Sequence, residues 1–481
     1  MPFESVLQIV TWGGYLACLV YLTTLTVIFA ALARMAVREN RDRARDAAVE
    51  DFSIVRSSPF TIPVSVVAPA YNEEVCITAS IQSLLALDYP EYEVIVVNDG
   101  STDSTMKRLT QAFDLEPSAA LYRRVIDATE IKQIYRSRID PRLTVIDKVN
   151  GGKADALNAG ANLARYRYLC CVDSDTVYYA DALLKGMRLV MPDPAVVVGV
   201  TSHVTLHSRP EQAVRDDQGR TRLDRHPLIV FQLLDYLRAF IWARAAWSRS
   251  NYMMCSVGAF AIWRRDVVVE LGGFSPRFTC EDIEFTFRVH EHFRRLRVPY
   301  RIQALPDAVG ITEGPTSIRA LVSQRARWQR VIAETVWHYR RMLCNPRYGT
   351  VGFLGMPYYV FAEVMAPVFQ VLAVAIVPLA AYSGQLRPFE CLQMLLIVAL
   401  GSAAFTCAAV LLQDRYGRTY AASDLAYLLL LAPADLFLYR PIIFWAQCKG
   451  TVDFLLGDRR WNKFERNRRR VVSPKLATNH Q

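Results

Sequence analysis

The chain has 481 residues, 52 % of them hydrophobic, and carries a formal net charge of +10. The length suggests about three domain-sized units, and the apolar content is high for a soluble enzyme. The basic excess does not indicate nucleic acid, because the sequence shows no zinc finger, RNA-binding signature or basic recognition helix. Much of this excess lies beside apolar stretches, where it suits anionic lipid headgroups or a phosphorylated substrate.

The first apolar stretch covers residues 6–33, which include no charged residue. It is long enough to cross a bilayer with tilt. A signal peptide is the alternative, since Ala31-Leu32-Ala33 resembles a cleavage site, but the run is too long and Glu4 replaces the basic start. We therefore expect an N-terminal transmembrane anchor over residues 1–36 and a linker over 37–60.

The charges flanking the anchor predict its orientation. No Lys or Arg precedes it, whereas several arginines follow directly after residue 33. The positive-inside rule then places the linker and the following domain in the cytoplasm, with the protein in the inner (plasma) membrane.

Apolar runs alternate with helical patterns in the next zone, residues 61–345. Strands are predicted at 64–68, 94–97, 142–148 and 168–172, and helices follow from residues 77, 101–103 and 154. Near-continuous apolar strands between helices indicate an α/β fold with a mostly parallel sheet covered on both faces. Ligands bind at the carboxyl ends of such strands, where Asp99, Asp173 and Asp175 fall.

The C-terminal third, residues 346–456, has apolar stretches at about 351–383, 389–413 and 423–446. Pro433, Asp435, Arg440 and Pro441 interrupt the last of these, so a re-entrant or interfacial element is an alternative to a full crossing. The basic tail, residues 457–481, is expected on the cytoplasmic side.

Asp173-Ser174-Asp175 places two carboxylates one residue apart after a buried strand. Their repulsion disfavours ionisation of both, so something must offset it. A divalent cation, Mg²⁺ or Mn²⁺, prefers such oxygen ligands and bridges them to a diphosphate. A solvated turn is the better explanation if this motif stood alone.

Other motifs also allow two interpretations. Asp99, followed by Gly100, is a hydrogen-bond acceptor for a nucleoside or part of a turn, and Lys153 after two glycines suits a phosphate. Glu281-Asp282 provides a general base in a cleft or the acidic first turn of a helix. The stretch "SQRARW" offers arginines for phosphate and an indole for a sugar face, or an ordinary basic helix.

Together these stretches resemble the membrane-embedded family 2 glycosyltransferases of the polysaccharide-synthase type. The resemblance rests on "SVVAPAYNEE", "VNDGSTD", "GGKADALNAG", "VDSDT", "CEDIEF" and "QRARW", in this order over residues 60–345. It is greatest to poly-β-1,6-N-acetylglucosamine synthase-like members and weaker to chitin-oligosaccharide, hyaluronan and cellulose synthases. It implies a Rossmann-like GT-A catalytic domain.

The resemblance also implies roles for individual residues. The donor nucleotide-binding residues would be Tyr71, Glu73, Asp99, Lys153 and Asp173. Asp173 and Asp175 would form the D-x-D motif, with Asp175 as the direct ligand of Mg²⁺ or Mn²⁺. Asp282 would be the catalytic base with Glu281 as its neighbour. The acceptor and diphosphate end would comprise Gln324, Arg325, Arg327 and Trp328, with a C-terminal element of Trp461, Lys463 and Arg466.

Two departures from the family pattern affect these expectations. Cys280 precedes the Glu-Asp pair where Thr or Gly is usual, and Ser256-Val257-Gly258 stands where the family usually has Ser-Gly. The second departure makes the identity of the acceptor less certain than catalysis itself.

The expected function is a processive, inverting transferase that adds sugar from UDP-N-acetylglucosamine, or another UDP-sugar, to a β-linked polysaccharide. A non-processive enzyme that glycosylates a lipid is the first alternative, and a non-catalytic membrane subunit or transporter is the second. The implied partners are the donor, a glycan or lipid acceptor, membrane lipids and an export partner protein.

Overall fold

The computed structural model describes residues 3–49, 52–58, 60–210, 213, 222–417 and 420–458. Trp461, Lys463 and Arg466 lie outside the described residues. The strands are β1 (Val64–Ala70), β2 (Tyr92–Asn98), β3 (Leu115–Ser118), β4 (Ile131–Ser137), β5 (Leu143–Lys148), β6 (Tyr168–Val172), β7 (Val177–Tyr178), β8 (Val197–His207), β9 (Phe260–Arg264) and β10 (Arg301–Glu313).

The helices up to residue 338 are α1 (Phe3–Val49), α2 (Phe52–Ser57), α3 (Ile77–Leu85), α4 (Thr105–Phe113), α5 (Lys153–Leu163), α6 (Ala182–Met187), α7 (Pro227–Arg238), α8 (Ala245–Arg249), α9 (Arg265–Glu270), α10 (Glu281–Leu296) and α11 (Ile318–His338). The C-terminal third has α12 (Met356–Tyr358), α13 (Ala366–Tyr382), α14 (Pro388–Gly417), α15 (Ala422–Leu431), α16 (Asp435–Leu438) and α17 (Arg440–Leu455).

The strands form one sheet in the order β3-β4-β5-β2-β1-β6-β9-β8-β10-β7. The four predicted strands, β5, β2, β1 and β6, are its parallel centre. The flanks are mixed: β9 is antiparallel to both β6 and β8, β4 is antiparallel to β5, and β10 is parallel to β8. The all-parallel arrangement is therefore confined to the centre, where the apolar runs are uninterrupted.

Helices cover both faces of this centre, which explains the apolar runs. Every residue of β2 is buried. Alternate residues serve opposite faces: Val94 and Val96 pack on the side of α3, whereas Ile95 and Val97 pack on the side of α5. Since successive side chains of a strand point to opposite faces, both sets must be apolar.

The predicted helix starts agree with the structure to within a few residues. Helix α3 begins at Ile77 and α5 at Lys153. Helix α4 begins at Thr105. The backbone N–H and the hydroxyl of Thr105 donate to the Asp103 carboxylate, at 2.9 and 2.6 Å. Asp103, at the end of the stretch 101–103 where this helix is predicted to start, therefore satisfies the first turn.

The helical segments outside the sheet make this a membrane protein. Two of them, Gln8–Arg43 and Phe389–Arg415, are long and apolar enough to cross a membrane. Two bent pairs raise the number to four if each is one span: Val351–Val364 with Ala366–Tyr382, at 42°, and Ala422–Leu438 with Arg440–Leu455, at 47°. Helix α1 continues to Val49, so most of the predicted linker is helical.

Helices α11 and α17 pack closely because Gly450 has no side chain. A Cβ atom at this position would lie 2.3 Å from the Ala326 carbonyl oxygen and 2.8 Å from Gln329 Cβ. This contact joins the helix that carries "QRARW" to the last described helix, so it fixes the position of one relative to the other.

We expect Gly450→Ala to destabilise the protein by about 1–3 kcal/mol, because the new methyl group meets backbone and forces the helices apart. The apparent unfolding temperature in detergent measures this effect. Gly401→Ala in α14 is the matched control, since a Cβ there meets nothing within 4 Å. An equal unfolding temperature for both variants would contradict the close packing.

Candidate active site

Three loops meet at the carboxyl edge of the parallel strands. Ala70 and Asn98 are the last residues of β1 and β2, and they are in register. The next backbone N–H, that of Asp99, donates to the Ala70 carbonyl at 2.9 Å. Asp173 follows the end of β6 directly. The acidic residues predicted at strand ends therefore follow the two strands that flank β1, at the same edge of the sheet, where α/β sheets bind ligands.

Asp99 is buried and fully engaged with the glycine turn before α5. Its Oδ1 atom is 2.6 Å from Lys148 Nζ and accepts the Gly151 N–H at 2.9 Å. Its Oδ2 atom accepts the Gly152 N–H at 2.8 Å. The carboxylate thus fixes the turn that ends at Lys153, in addition to any contact with a nucleotide.

Lys148 is a residue that the sequence analysis missed. Its side chain is fully buried at the end of β5, and its ammonium group pairs with Asp99 and with Asp155 Oδ2, both at 2.6 Å. The only sequence signal was a lysine that closes an apolar strand three positions before the glycine pair Gly151-Gly152. Its pairing with two distant carboxylates is visible only in the fold.

The Lys153 ammonium group lies among three carboxylates from two other segments. It is 2.7 Å from Asp173 Oδ1 and 3.2 Å from Glu281 Oε1. Burial lowers the pKa of Lys153, but these carboxylates and that of Asp282 outweigh it and hold the pKa well above its usual range. The lysine therefore stays charged and offsets the repulsion between the acids.

Asp282 occupies the first turn of α10. The backbone N–H groups of Gly258 and Ile283 donate to its two carboxylate oxygens, each at 2.8 Å. Burial raises the pKa of the Asp282 carboxyl to about 6, Glu281 acts in the same direction, and Lys153 opposes them. A carboxylate with this pKa is suited to accept a proton near neutral pH.

Gly258 gives the unusual Ser256-Val257-Gly258 stretch a physical role. A Cβ at Gly258 would lie 2.9 Å from Lys153 Nζ and 3.0 Å from Asp282 Oδ2. Ser256 is buried below it, and its hydroxyl contacts the Asp282 carbonyl oxygen at 3.1 Å. This loop thus packs against Asp282, and a side chain at residue 258 would crowd the Asp282 carboxylate and the Lys153 ammonium group.

The loop that carries Tyr71 and Glu73 packs against the loop after Asp99. The Glu73 backbone N–H donates to the Thr105 hydroxyl at 2.8 Å, and Asn72 Oδ1 accepts the Thr102 N–H at the same distance. Glu73 is buried and Tyr71 is half-buried. The structure therefore places both residues in the neighbourhood of Asp99, as expected of a common binding loop.

The "QRARW" stretch, with its four candidate residues Gln324, Arg325, Arg327 and Trp328, lies in the first half of α11. The Arg325 guanidinium is 4.5 Å from the centre of the Trp328 ring and 3.1 Å from the Asp235 carboxylate. Gln324 Oε1 and Arg327 Nε are buried and have no hydrogen-bond partner in the described part of the chain. The Nε atom of Arg325 is likewise buried without a partner in the described residues, so Gln324, Arg325 and Arg327 each retain capacity for a ligand, although Arg325 is also held by Trp328 and Asp235.

Helix α11 is connected to Asp282 through the loop before α10. The Arg330 guanidinium donates to the Thr279 hydroxyl at 3.0 Å. Burial raises the pKa of the adjacent Cys280 thiol to about 12, although the charges of Arg327 and Lys153 lower it. The positive charge of Arg327 therefore acts on Cys280, two residues before Asp282.

Asp173 and Asp175 fit a divalent cation that shares its ligands with a substrate. In the residues that the structure describes, no group of three or more His, Cys, Asp or Glu side chains is arranged to hold a metal ion. Two carboxylates leave most positions of an octahedral ion to other oxygens, and Mg²⁺ is commonly bound by one or two carboxylates plus substrate phosphates. The donor set agrees with that mode of binding.

This sheet, with acidic loops at its carboxyl edge and membrane helices beside it, defines a GT-A glycosyltransferase domain in a membrane protein. Two family models match the chain: Glycosyl transferase family 2 over residues 65–252 and Glycosyl transferase family group 2 over residues 168–412, half of the sequence. The chain belongs to the family 2 glycosyltransferases.

Curated relatives include two poly-β-1,6-N-acetyl-D-glucosamine synthases. The one from Staphylococcus epidermidis is 25% identical over 55% of this chain and 53% of its own length. The one from Staphylococcus aureus is 26% identical over 54% of this chain and 52% of its own. The chain therefore spans about half the length of the curated relatives it matches.

A solved structure supports the fold. It is the mannosyltransferase PcManGT from Pyrobaculum calidifontis in complex with GDP-Man and Mn²⁺, with a TM-score of 0.51 and 19% sequence identity. The match covers 90% of this chain and 99% of that one. The likeness extends over nearly the whole of both chains and confirms the GT-A architecture.

We expect Lys148→Met to cost about 3–5 kcal/mol of stability, because it leaves the Asp99 and Asp155 carboxylates buried without their cation. The unfolding temperature of the purified protein tests this. Lys107→Met, at an exposed position of α4, is the control and should change little. Equal effects of the two substitutions would show that the buried pairs contribute nothing.

The pKa of Asp282 predicts an acidic limb in the activity profile. If the ionised carboxylate is the base, kcat/KM falls tenfold per pH unit below about pH 6 and is constant just above it. In Glu281→Gln the limb moves to lower pH, since a neighbour that raises the pKa of Asp282 is gone. A limb at the same pH in both proteins would remove Asp282 from this role.

Proposed function

We propose that the chain is a processive, inverting glycosyltransferase that adds sugar from a UDP-sugar to a growing β-linked polysaccharide at the membrane. The observation that carries the proposal is Asp282, a carboxylate with a raised pKa held beside the Asp173–Lys153 ion pair. UDP-N-acetylglucosamine is the proposed donor, since the curated relatives are named as synthases of a poly-N-acetylglucosamine.

The proposed reaction is a single displacement at the anomeric carbon. The Asp282 carboxylate accepts the proton of an acceptor hydroxyl as its oxygen attacks C1 of the donor sugar. The bond between C1 and the diphosphate oxygen breaks on the opposite face, UDP leaves with that electron pair, and an α-linked donor gives a β-linked product. Positive charge develops at C1, as in glycoside hydrolysis.

The residues around Asp282 support this reaction electrostatically. Lys153 compensates the carboxylates of Asp173 and Glu281, so Asp282 ionises near neutral pH despite its acidic neighbours. Asp173 and Asp175 would hold a divalent cation, Mg²⁺ or Mn²⁺. When bound, such a cation neutralises charge that develops on the departing diphosphate.

Binding of the substrates is assigned to the two sides of this centre. On the donor side, Tyr71, Glu73 and Asp99 would contact the nucleotide. On the other side, Gln324 and Arg327 have buried polar atoms without partners, which suits the diphosphate or an acceptor hydroxyl. Trp328 would provide a ring face for the acceptor sugar, and Trp461 would add to this end from the tail.

The proposed membrane arrangement follows from charge and from the bent helices. Residues 61–345 form the catalytic domain on the cytoplasmic side, and residues 1–36 and 346–456 anchor it in the inner membrane. If Ala422–Leu438 and Arg440–Leu455 return to their side of entry, the basic tail, residues 457–481, is also cytoplasmic. A glycan or lipid acceptor, membrane lipids and an export partner are the proposed partners.

The direct test offers single radiolabelled UDP-sugars, with Mn²⁺ or Mg²⁺, to the purified protein in nanodiscs and sizes the products. We expect long polymer from UDP-N-acetylglucosamine, its loss on chelation, and at least a thousandfold lower rate in Asp282→Asn. Arg347→Gln, at an exposed position outside the site, is the control.

Other outcomes would reject parts of the proposal. A single sugar transferred to lipid would replace processive synthesis with lipid glycosylation, the alternative that the sequence motifs allow. Polymer from another UDP-sugar would replace only the donor. Full activity of Asp282→Asn would remove the mechanism.

A further inference from the structure

A cavity of about 240 Å³ lies between the sheet and the membrane-associated helices. None of its lining residues belongs to the Lys153 cluster, that is, Lys153, Asp173, Glu281 and Asp282. Its walls come from β8, β10 and α7, from the segment after the Asp173-Ser174-Asp175 motif, and from the end of α14 with Tyr420. This volume is smaller than the roughly 300–1,000 Å³ of sites for drug-sized ligands, and it suits a single sugar ring.

Three tyrosines, Tyr179, Tyr236 and Tyr420, contribute to the walls of this cavity. An aromatic face packs against the C–H face of a pyranose, while the phenol oxygen bonds a hydroxyl. His203 and Asp181 add polar groups. The cavity thus combines ring faces with hydrogen-bonding edges, the two features that a pyranose presents in return.

Two of the polar groups in the cavity wall have a side-chain atom that makes no hydrogen bond within the described residues. His203 is 5% exposed, and its Nδ1 atom has no hydrogen-bond partner in the described residues. Burial lowers the pKa of His203 to about 3, so the ring is neutral and offers one donor and one acceptor. Asp181 Oδ1 is likewise buried without a partner. A buried polar atom that no protein group satisfies is open to a water molecule or to a ligand hydroxyl.

The charges of the cavity favour a neutral ligand. Asp181 pairs with Lys185 at 2.9 Å, and Asp307 pairs with Arg188 at 3.0 Å. The Asp224 carboxylate accepts a hydrogen bond from the backbone N–H of His226 at 2.7 Å. The carboxylates therefore have partners within the protein. Among the described residues that line the cavity, Lys185 is paired with Asp181 and Arg222 is exposed, so no buried unpaired cation is left to bind an anionic nucleotide or phosphate.

The position of the cavity connects it with the catalytic centre. Tyr179 follows Asp175 by four residues, and the Tyr236 ring centre is 6.4 Å from that of Trp328. Gln413 lies near the end of the Phe389–Arg415 span. The cavity therefore adjoins the segment that follows Asp175 and the end of a membrane helix, and Tyr236 connects its wall with Trp328 of α11.

We propose that this cavity is a second saccharide site, which holds one neutral pyranose unit of a glycan outside the catalytic centre. The inference rests on the proposed function for the identity of the sugar, N-acetylglucosamine. Its physical basis is independent of that function, because the cavity shares no residue with the Lys153 cluster.

The test measures binding of the β-1,6-linked tetrasaccharide of N-acetylglucosamine to the full chain by calorimetry. Tyr420→Leu removes one ring face, and Ala308→Trp fills the cavity from β10. We expect each to weaken binding at least tenfold. Tyr427→Leu is the matched control, because its ring packs on Arg225, at 4.8 Å, and does not line the cavity; it should stay within twofold of the parent.

Thermal unfolding of the same samples shows that each variant is folded, and UDP binding reports separately on the proposed function. A parent that binds the tetrasaccharide but not UDP would reject the donor and keep the cavity. Tetrasaccharide binding unchanged in folded Tyr420→Leu and Ala308→Trp would overturn the second site.

Turnover identifies the source of the bound sugar. Shorter polymer from Tyr420→Leu would show that the cavity holds the growing chain. Unchanged polymer length, with loss of any rate change caused by added tetrasaccharide, would show that it holds a free oligosaccharide.

Discussion

Repulsion between carboxylates at the carboxyl edge of the sheet is the constraint on which the site depends. Asp173, Glu281 and Asp282 converge from two segments, and three carboxyl groups so close do not all stay ionised without a cation. Lys153 supplies that cation at 2.7 and 3.2 Å from the first two. The same charge balance keeps Asp282 ionisable near neutral pH.

A second lysine holds the first in place. Lys148 pairs with Asp99 and Asp155, and Asp99 in turn binds both N–H groups of the glycine turn that precedes Lys153. Replacing a buried pair by apolar residues is often neutral for stability, so its retention is better explained by the geometry that it imposes. The position and the charge of Lys153 are thus set by one connected network.

A separate group of buried charges joins the catalytic domain to the membrane part. Asp235 of α7 pairs with Arg325 of α11 at 3.1 Å and with Arg440 of α17 at 3.2 Å. Arg238 and Arg440 both pair with Asp435, which is fully buried. Charges at such depth require defined partners, so these pairs fix the orientation of the "QRARW" helix relative to the last bent pair of helices.

The sequence predicted the centre of the sheet better than its flanks for a physical reason. Strands β1, β2 and β6 are buried on both faces, and this imposes uninterrupted apolar runs that are legible without a structure. Strands β8 and β10 mix polar residues with register shifts because their ends line the cavity and the membrane side. Their pairing is decided by distant segments, so no local pattern revealed it.

Motif chemistry was equally uneven. The order of the motifs and their resemblance to a family indicated Asp173, Asp175, Glu281 and Asp282, because each acidic motif alone also fits a turn or the first turn of a helix. The role of Lys148, the approach of Gly258 to Asp282, and the pairing of Arg325 with Asp235 were not predictable. Each depends on a distance between segments far apart in the chain.

The sequence by itself therefore determined the fold class, the membrane segments and the identity of the acidic motifs, because burial and charge leave periodic, local signals. The tertiary structure decided which acids share a cation, which cation that is, and where the saccharide cavity opens. These features arise from packing between remote segments, and a contact between remote segments has no signature in either segment alone.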